Sequence, residues 1–594
     1  MRSAPVAGAL AVVASLGGVS AARSRPAAHL RVNLAGYLPA DRKVAVLFAD
    51  SPVKGSFTVR SAAAPKPVLR ARVPAASTGA WGRFPHHYAL DVSAVREPGQ
   101  YVVEAGSASA RFAVGEELLR EWPAYLLEYL RQQRCGYNPF LDTVCHPFDG
   151  RTAYGPHPAG TYLDARGGWH DAGDQLKYLI TSSNATAQLL MAWQLRPGAF
   201  DDRVDALGRL SPNGDADVLD EARWGLEWML RLHPAPDQLY HQVADDRDHI
   251  GWKLPQDDEA DYGWGKGGYR VVYAADGRPQ GLGNYQSAST GVSNLAGRYA
   301  AAMALAHQVW KGHARHAAFA ERCLQAGREV YELGRQREGF QQGNSYGAPY
   351  RYNEDTWADD MEWGAAELFK VTGERRFLDE AVRYARLIGA TSMVGRDTAG
   401  HYQLYPFMNA GHFALYPLVD DATKQELAAF YRQNLEAAQR RADGNPYRIG
   451  IPFIWCSNNV AVALATQALV YERMTGDARF RALAEAQRDW LLGRNPWGTS
   501  MFSLVPEGAE SPVNVHLSVT NLSGRGVRGG LIDGPVYARI FASLKGVTLT
   551  GPDVFADFQG EAIYHDDVMD YSSNEPTMDG TASAVLLFAL LSPE

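Results

Sequence analysis

Two kinds of hydrophobic pattern divide the chain. Up to Val114, short apolar runs alternate with turn residues, and these runs occupy positions 29–33, 43–48, 56–60, 88–92 and 99–104. Short strands at such spacing are typical of a β-sandwich. Beyond Val114, apolar residues recur at helical intervals, as in Leu219, Ala222, Leu226, Met229 and Leu230. We therefore predict a mainly α chain in which a small sandwich, residues 28–114, precedes a helical domain, residues 118–594.

A weak internal repeat refines the helical part. The segments 371–377 and 474–480 share a Thr-Gly step followed by charged residues and Phe, and each stands between two apolar helices. Gly373 and Gly476 fall where a helix end favours a left-handed residue. Helical hairpins with matching turns, repeated along the domain, predict an α/α toroid whose functional loops gather at one mouth.

Carboxyl groups stand out in two distant segments. The string GGWHDAGD at 167–174 places Asp171 and Asp174 three residues apart on a short turn, and YHDDVMDYSSNEP at 564–576 contains Glu575 just before the last apolar helix. Hydrolysis of a glycosidic bond needs one carboxylic acid to protonate the leaving oxygen and one carboxylate to activate water. Taken alone, the Asp171 turn fits a solvated acidic loop or a calcium loop equally well.

Three motifs in order resemble those of glycoside hydrolase family 9: the two acidic strings and, between them, LLGRNPWGTS at 491–500. The resemblance implies an (α/α)6 barrel preceded by an immunoglobulin-like sandwich, and inverting cleavage of β-1,4-glucans. It assigns Asp174 as general base, Asp171 as its partner in holding water, and Glu575 as general acid. An inverting enzyme separates base and acid carboxyls by roughly 6.5 to 9.5 Å, whereas about 5 Å would indicate retention.

One departure concerns the substrate. Many family members carry a Pro-x-x-Pro-His-His-Arg segment after the Asn-Pro motif, but this chain reads SPVNVHLS at 511–518. His516 matches one sugar-contacting histidine, while the second His and the Arg are absent. An Arg fork on sugar hydroxyls is not replaced by Leu or Ser. Besides an endo-acting cellulase, the sequence therefore leaves open an exo-acting β-glucosidase or β-glucosaminidase with the same machinery.

Four cysteines are too few for a disulfide scaffold. Cys135, Cys145, His146 and His170 precede the Asp171 turn closely and suit tetrahedral zinc, at positions that match a structural zinc in several family members. A Cys135–Cys145 disulfide is the alternative. Asp359 and Asp360 open a helix and resemble a calcium-binding helix start of some relatives, although acidic residues also favour a helix N-terminus without metal. We expect Cys323 and Cys456 to be buried free thiols.

Composition limits the partners and the location that we expect for the protein. The net charge of −8 argues against nucleic acid or an anionic membrane as a partner. Residues 1–22 resemble a secretory signal peptide, with a disordered or buried N-terminal segment as the alternative. No later stretch reaches the ~18 apolar residues of a membrane span. We expect an exported monomer that acts on β-glucan polymers or oligosaccharides. A non-catalytic carbohydrate-binding protein is disfavoured because all three carboxyl groups are present.

Overall fold

The computed structural model describes residues 28–249, 251–267, 269–348, 351–396, 400 and 402–593, so the predicted signal peptide at 1–22 lies outside the described residues. The N-terminal part is a β-sandwich of two antiparallel sheets, with strand orders β1-β2-β5 and β4-β3-β6-β7. The bounds are β1 Ala28–Arg31, β2 Val44–Ala49, β3 Ser56–Ser61, β4 Pro67–Arg72, β5 His86–Asp91, β6 Gly99–Ala105 and β7 Ala108–Val114. The predicted sandwich is confirmed.

Pattern reading missed two of these strands. β4 lies at the edge of its sheet, and its inward side chains, Leu69 and Ala71, are only partly buried, so its alternation is weak. β7 is mostly small residues, with Phe112 and Val114 as its large buried side chains. Both strands are held in place chiefly by pairing with neighbours of stronger pattern.

The rest of the described chain is a ring of helical hairpins. Six helices, α2, α4, α6, α8, α10 and α14, pack side by side and close on themselves through the contact between α14 and α2. Outer helices lie against this ring, so the predicted toroid is an (α/α)6 barrel. The helices are α1 Trp122–Gln132, α2 Leu179–Leu195, α3 Asp217–Arg231, α4 Ser293–Trp310, α5 Ala317–Gln336, α6 Ala358–Thr372, α7 Arg375–Ile388, α8 Ala410–Leu415, α9 Asp421–Asp443, α10 Ser457–Thr475, α11 Arg481–Leu491, α12 Ser518–Ser523, α13 Ala538–Phe541 and α14 Met578–Leu591.

Composition separates inner from outer helices. Inner helices α2 and α14 are buried on nearly every side and carry almost no charge, as a helix enclosed by others requires. Outer helix α7 instead buries one stripe containing Phe377 and Tyr384 and turns four arginines outward or to its flanks. Among the helices that the structure describes, none is long and apolar enough to cross a membrane.

The repeated turns behave as predicted. Gly373 ends α6 and Gly476 ends α10, both with left-handed backbone at φ +68° and +74°. After each of these glycines the chain enters an outer helical segment that packs against the ring. The turns therefore reverse the chain in the two hairpins that share the sequence repeat.

Short strands near the mouth of the barrel complete the fold. One four-stranded sheet has the order β10-β13-β12-β11, and two-stranded pairs join β8 to β9, β14 to β17 and β15 to β16. Their bounds are β8 Tyr137–Asn138, β9 Thr143–Val144, β10 Arg151–Thr152, β11 Lys177–Tyr178, β12 Tyr240–Val243, β13 Val271–Ala274, β14 Leu531–Ile532, β15 Val536–Tyr537, β16 Ala562–Ile563 and β17 Pro576–Thr577.

The sandwich rests on the LLGRNPWGTS segment of the barrel. Asn33 donates to the Asp489 carboxylate at 2.9 Å, and the Leu34 N–H donates to the Leu492 carbonyl at 2.7 Å. Trp81 of the sandwich meets the rings of Trp490 and Trp497 edge to face. This motif, with Asp489 and Trp490 just before it, therefore joins the sandwich to the barrel.

Candidate active site

The acidic turn lies between the metal-ligand segment and inner helix α2. Its backbone closes through the Asp171 N–H, which donates to the Leu176 carbonyl at 3.0 Å, while the Leu176 N–H donates to Asp174 Oδ1 at 2.8 Å. β11 and α2 follow directly. The turn is thus fixed on the ring before any substrate contact.

Glu575 reaches this turn from the far end of the chain. The Gly173 N–H donates to Glu575 Oε1 at 2.8 Å, and the Met578 N–H donates to the Asp171 carbonyl at 2.9 Å. A Cβ at position 173 would stand 2.5 Å from Glu575 Oε1, so only glycine permits this approach. The packing of α2 against α14 therefore brings the three predicted carboxyl groups together.

Burial sets the protonation of two of these groups. Asp171 and Glu575 are only 3% and 9% exposed. Burial and the charges of Asp174 and Asp579 raise the pKa of Asp171, even though Thr181 and Tyr352 donate hydrogen bonds to its carboxyl group. Burial, followed by the charges of Asp533 and Asp174, raises the pKa of Glu575 well above its usual range. Each shift favours the protonated form of its group.

Asp174 has a different neighbour. His249 Nε2 lies 3.6 Å from Asp174 Oδ2, and the two groups form an ion pair when the imidazole is protonated. Burial alone would lower the pKa of His249, but hydrogen bonding and the charge of Asp174 outweigh it and raise the pKa. The pair favours a charged carboxylate at Asp174 beside a proton-bearing Glu575.

Aromatic rings lie beside the acidic turn. His516 packs over Gly173, donates from Nδ1 to the Val568 carbonyl at 2.6 Å, and meets the Trp252 ring at 4.8 Å. Trp455 stacks on Tyr571 at 5.8 Å. Flat rings beside paired carboxyl groups suit the faces of pyranose sugars. His249, Trp252, Tyr352 and Trp455 had only weak sequence signals, namely aromatic or polar residues in loops and helix starts.

Two buried carboxyl groups near the site carried no motif. Asp533 accepts hydrogen bonds from the Trp455 indole N–H at 2.8 Å and from the Cys456 thiol at 3.1 Å. Asp579 accepts from the hydroxyls of Tyr402 and Tyr405. In sequence, Asp533 directly follows the apolar strand Leu531–Ile532, and such a lone charge next to a buried run is the signal that could have found it.

The four predicted zinc ligands form one buried cluster. Cys135 Sγ lies 3.6 Å from His146 Nδ1 and 3.9 Å from Cys145 Sγ, and Cys145 Sγ lies 3.7 Å from His170 Nε2. Tetrahedral zinc with these ligand types requires ligand-to-ligand edges of about 3.3–3.8 Å. Both cysteines are free thiols, and a sulfur separation of 3.9 Å is far beyond a disulfide bond, so the alternative disulfide is not formed. The donor set and its spacing therefore fit zinc.

Charged partners tie this cluster to the acidic turn. Asp258 meets His146 Nε2 at 3.2 Å, an outer-shell contact of the kind that orients metal-bound histidines. Arg270 pairs with Asp149 at 2.8 Å, lies 3.9 Å from Cys135 Sγ and donates to the Gln175 carbonyl at 2.6 Å. One guanidinium thus contacts both the cluster and the turn that holds Asp174.

Asp359 and Asp360 occupy the buried start of α6. The Arg298 guanidinium lies 3.4 Å from Asp360 Oδ1, while within the described residues Asp359 Oδ1 and both Asp360 oxygens accept no hydrogen bond. Burial and nearby acidic charge raise the pKa of Asp359 to about 7. In the part of the chain that the structure describes, these two residues belong to no compact group of three or more potential metal ligands.

Fold and site together define a barrel hydrolase with an acidic, aromatic cleft at the mouth of an (α/α)6 ring. The family model described as glycosyl hydrolase family 9 matches residues 121–588, and the model described as cellulase N-terminal ig-like domain matches residues 25–110. This chain belongs to glycosyl hydrolase family 9.

Individual relatives agree with the family match. Endoglucanase C of Cellulomonas fimi is 27% identical over 512 residues, 79% of this chain and 43% of that protein. The chain thus spans less than half of that relative. A xyloglucan-specific endo-beta-1,4-glucanase of Bacteroides ovatus is 24% identical, with 85% of each chain covered.

Solved structures show the same architecture. A metagenome-derived glycoside hydrolase family 9 endoglucanase is 27% identical, covers 95% of this chain and 99% of its own, and superposes with a TM-score of 0.76. A Zn-binding triple mutant of the family 9 endoglucanase J30 is 24% identical, covers 94% of this chain and 99% of its own, and gives a TM-score of 0.73, which supports the fold alone.

Proposed function

We propose that the chain is an inverting endo-β-1,4-glucanase that cleaves cellulose-like β-glucans. The observation that carries the proposal is the meeting of Glu575 with the Asp171–Asp174 turn through the Gly173 N–H. Endoglucanase names among the relatives support the substrate class. The aromatic cleft supports a sugar substrate on independent physical grounds.

Glu575 acts as the general acid. A buried carboxyl group with a raised pKa holds a proton near neutral pH and can give it to the leaving sugar oxygen. Its hydrogen bond from Gly173 fixes one carboxyl oxygen and leaves the other for the substrate.

Asp174 acts as the general base, with Asp171 as its partner in holding the nucleophilic water. His249 favours the charged form of Asp174. Asp171 accepts hydrogen bonds from Thr181 and Tyr352, which hold its carboxyl group in place to orient the water. Water bound here attacks the sugar from the side opposite Glu575, which inverts the anomeric carbon.

The experiment is hydrolysis of soluble β-glucans and chito-oligosaccharides by the wild-type enzyme and Glu575→Gln, with product lengths measured over time. Internal cleavage of β-1,4-glucan that is lost in the variant is the expected result. Full activity in Glu575→Gln would overturn the acid assignment.

An exo-acting β-glucosidase or β-glucosaminidase is the second candidate. The absence of the second His and the Arg after His516 favours it, because those groups would hold neighbouring sugars of a long chain. Release of monosaccharide alone, without an early fall in polymer viscosity, would select this candidate.

A structural zinc at Cys135, Cys145, His146 and His170 forms part of the proposal. The ion would supply no step of the reaction; it would fix the segment that leads into Asp171. His170 and Asp171 are adjacent, so an ordered cluster orders the turn.

Calcium at Asp359 and Asp360 is proposed on charge balance. Arg298 pairs with both Glu354 and Asp360, and Glu362 pairs with His412, which leaves an excess of acidic groups at the start of α6. Carboxylate oxygens of Asp359 and Asp360 are the ligand type that calcium prefers.

Processing and assembly complete the proposal. We infer an exported monomer whose signal peptide is residues 1–22, with a sandwich at 28–114 and a catalytic domain at 118–594. N-terminal sequencing of the secreted protein and size-exclusion chromatography test these statements. The partners we infer are β-glucan polymers or oligosaccharides, with no role for nucleic acid or membrane.

A further inference from the structure

Asp533 stands directly opposite Glu575. β14 and β17 are antiparallel, with Ile532 opposite Pro576, and the Asp533 N–H continues the ladder by donating to the Glu575 carbonyl at 2.7 Å. Directly opposed residues on antiparallel strands project to the same face with Cβ atoms about 4.5–5.5 Å apart. The Asp533 side chain is fully buried at 0% exposure.

Hydrogen bonding distinguishes the two carboxyl groups. Asp533 accepts from the Trp455 indole at 2.8 Å and from the Cys456 thiol at 3.1 Å, one donor on each oxygen. Glu575 accepts from the Gly173 N–H on Oε1. Two buried neighbouring carboxyl groups resist ionising together, and donors favour the charged form of the group that they contact. Burial raises the pKa of both groups, but the Cys456 and Trp455 donors counteract it at Asp533, so Asp533 ionises first and Glu575 keeps its proton longer.

We propose that Asp533 is a positioning residue that keeps Glu575 protonated and ready to donate to the leaving sugar. This inference rests on the proposed role of Glu575 as general acid. It assigns a task to a carboxyl group that stands outside both acidic motifs.

Several other titratable groups lie near Glu575 and interact with it electrostatically. They are Asp171 and Asp174 on the turn, Tyr129 from α1, Cys456 at the start of α10 and His516 beside Gly173. Tyr129 and Cys456 are neutral near pH 7 because burial raises the pKa of each. Burial, Asp533 and Asp174, in that order, raise the pKa of Glu575, so Asp533 is its strongest charged neighbour.

Asp533 also holds the Trp455 ring that stacks on Tyr571. A role confined to that ring would change substrate binding, and hence KM. A role in protonation would instead move the alkaline limb of the pH profile, where the general acid loses its proton. These two readouts separate the proposal from a merely structural contact.

The test is Asp533→Asn, which keeps the size of the side chain and an oxygen for Trp455 but removes the charge. We expect the alkaline limb of kcat/KM on cello-oligosaccharides to move to lower pH by about one unit, with KM changed less than about threefold. Asp567→Asn is the matched control, because its carboxylate lies in the same loop as Glu575 and contacts Thr550. An unmoved limb with a raised KM in Asp533→Asn would overturn the proposal.

A second arm keeps the failure of this inference distinct from failure of the proposed function. Aryl cellosides with a good leaving group need little acid catalysis, so Glu575→Gln retains far more activity on them than on cello-oligosaccharides. Equal losses on both substrates would remove the acid role of Glu575 itself, whatever Asp533→Asn does.

A spectroscopic measurement covers the case in which Asp533→Asn does not fold. Infrared spectra of the wild-type enzyme at neutral pH should contain a protonated-carboxyl band that 13C labelling of glutamate shifts and Glu575→Gln removes. No glutamate-labelled band, or a glutamate band that survives Glu575→Gln, would mean that Glu575 is ionised at neutral pH and would overturn the inference.

Discussion

Two pairs of aspartates precede inner helices of the same barrel, yet their surroundings differ. Asp171 and Asp174, ahead of α2, meet Glu575, His249 and neutral donors at an opening. Asp359 and Asp360, at the start of α6, face Arg298 inside the ring and have oxygens without partners. An acidic pair before a helix is therefore a local signal, and its use depends on what distant segments bring opposite it.

The sharpest way to break this comparison is to remove the third carboxyl group. Glu575→Gln should lower kcat on unactivated β-glucan by about 10²–10⁴-fold, because the leaving oxygen then departs without a proton. Initial rates on cello-oligosaccharides give the measurement. A loss below tenfold would mean that the meeting of Glu575 with the Asp171 turn is structural only.

Exchanging carboxylate for amide in each pair compares the two directly. Asp174→Asn should lower kcat by about 10²–10⁴-fold, since the amide cannot take a proton from water. Asp359→Asn should act mainly on thermal stability, because that side chain faces the ring interior. Comparable losses of kcat at constant stability would contradict the division of roles.

The metal content of the protein tests whether zinc holds the segment that leads into the Asp171 turn. Purified protein should contain about one zinc per chain, and Cys145→Ser should lose it and unfold at a lower temperature. Cys323→Ser is the control, because Cys323 is also a buried free thiol but lies on outer helix α5. Wild-type protein without zinc after preparation in zinc-containing medium would refute the cluster as a metal site.

The smallest effect concerns the α6 pair. Calcium added to dialysed protein should raise Tm by about 1 °C, the shift expected for roughly 1 kcal/mol in a domain as large as residues 118–594. Magnesium should do less, since it loses its water reluctantly. Asp360→Asn should abolish the calcium response; a response that persists unchanged would locate calcium elsewhere.

Much of the fold was predictable because periodicity is local. The sandwich, the apolar inner helices and the turns at Gly373 and Gly476 follow from patterns that span a few residues. The number of hairpins did not and came from the family resemblance, because α8 has only six residues and too little pattern to be counted as a helix. Edge strand β4 was missed because its inward residues are only partly buried.

Some site residues were predictable from the sequence and others were not. The three carboxyl groups and the four zinc ligands lie in recognisable strings, and the structure brings each set together. His249 had only a weak signal and Asp533 was not predicted, since their contacts to Asp174 and Glu575 come from loop positions and strand pairing that no local motif encodes. Their roles depend on distance in space, which sequence spacing does not give.

The most direct test of the central claim is the stereochemistry of the first product. Proton NMR should follow a cello-oligosaccharide during early hydrolysis, before the new reducing end mutarotates. A base at Asp174 and an acid at Glu575 on opposite sides of the sugar predict that the α-anomer appears first. First appearance of the β-anomer would mean retention and would contradict the assignment of these carboxyl groups.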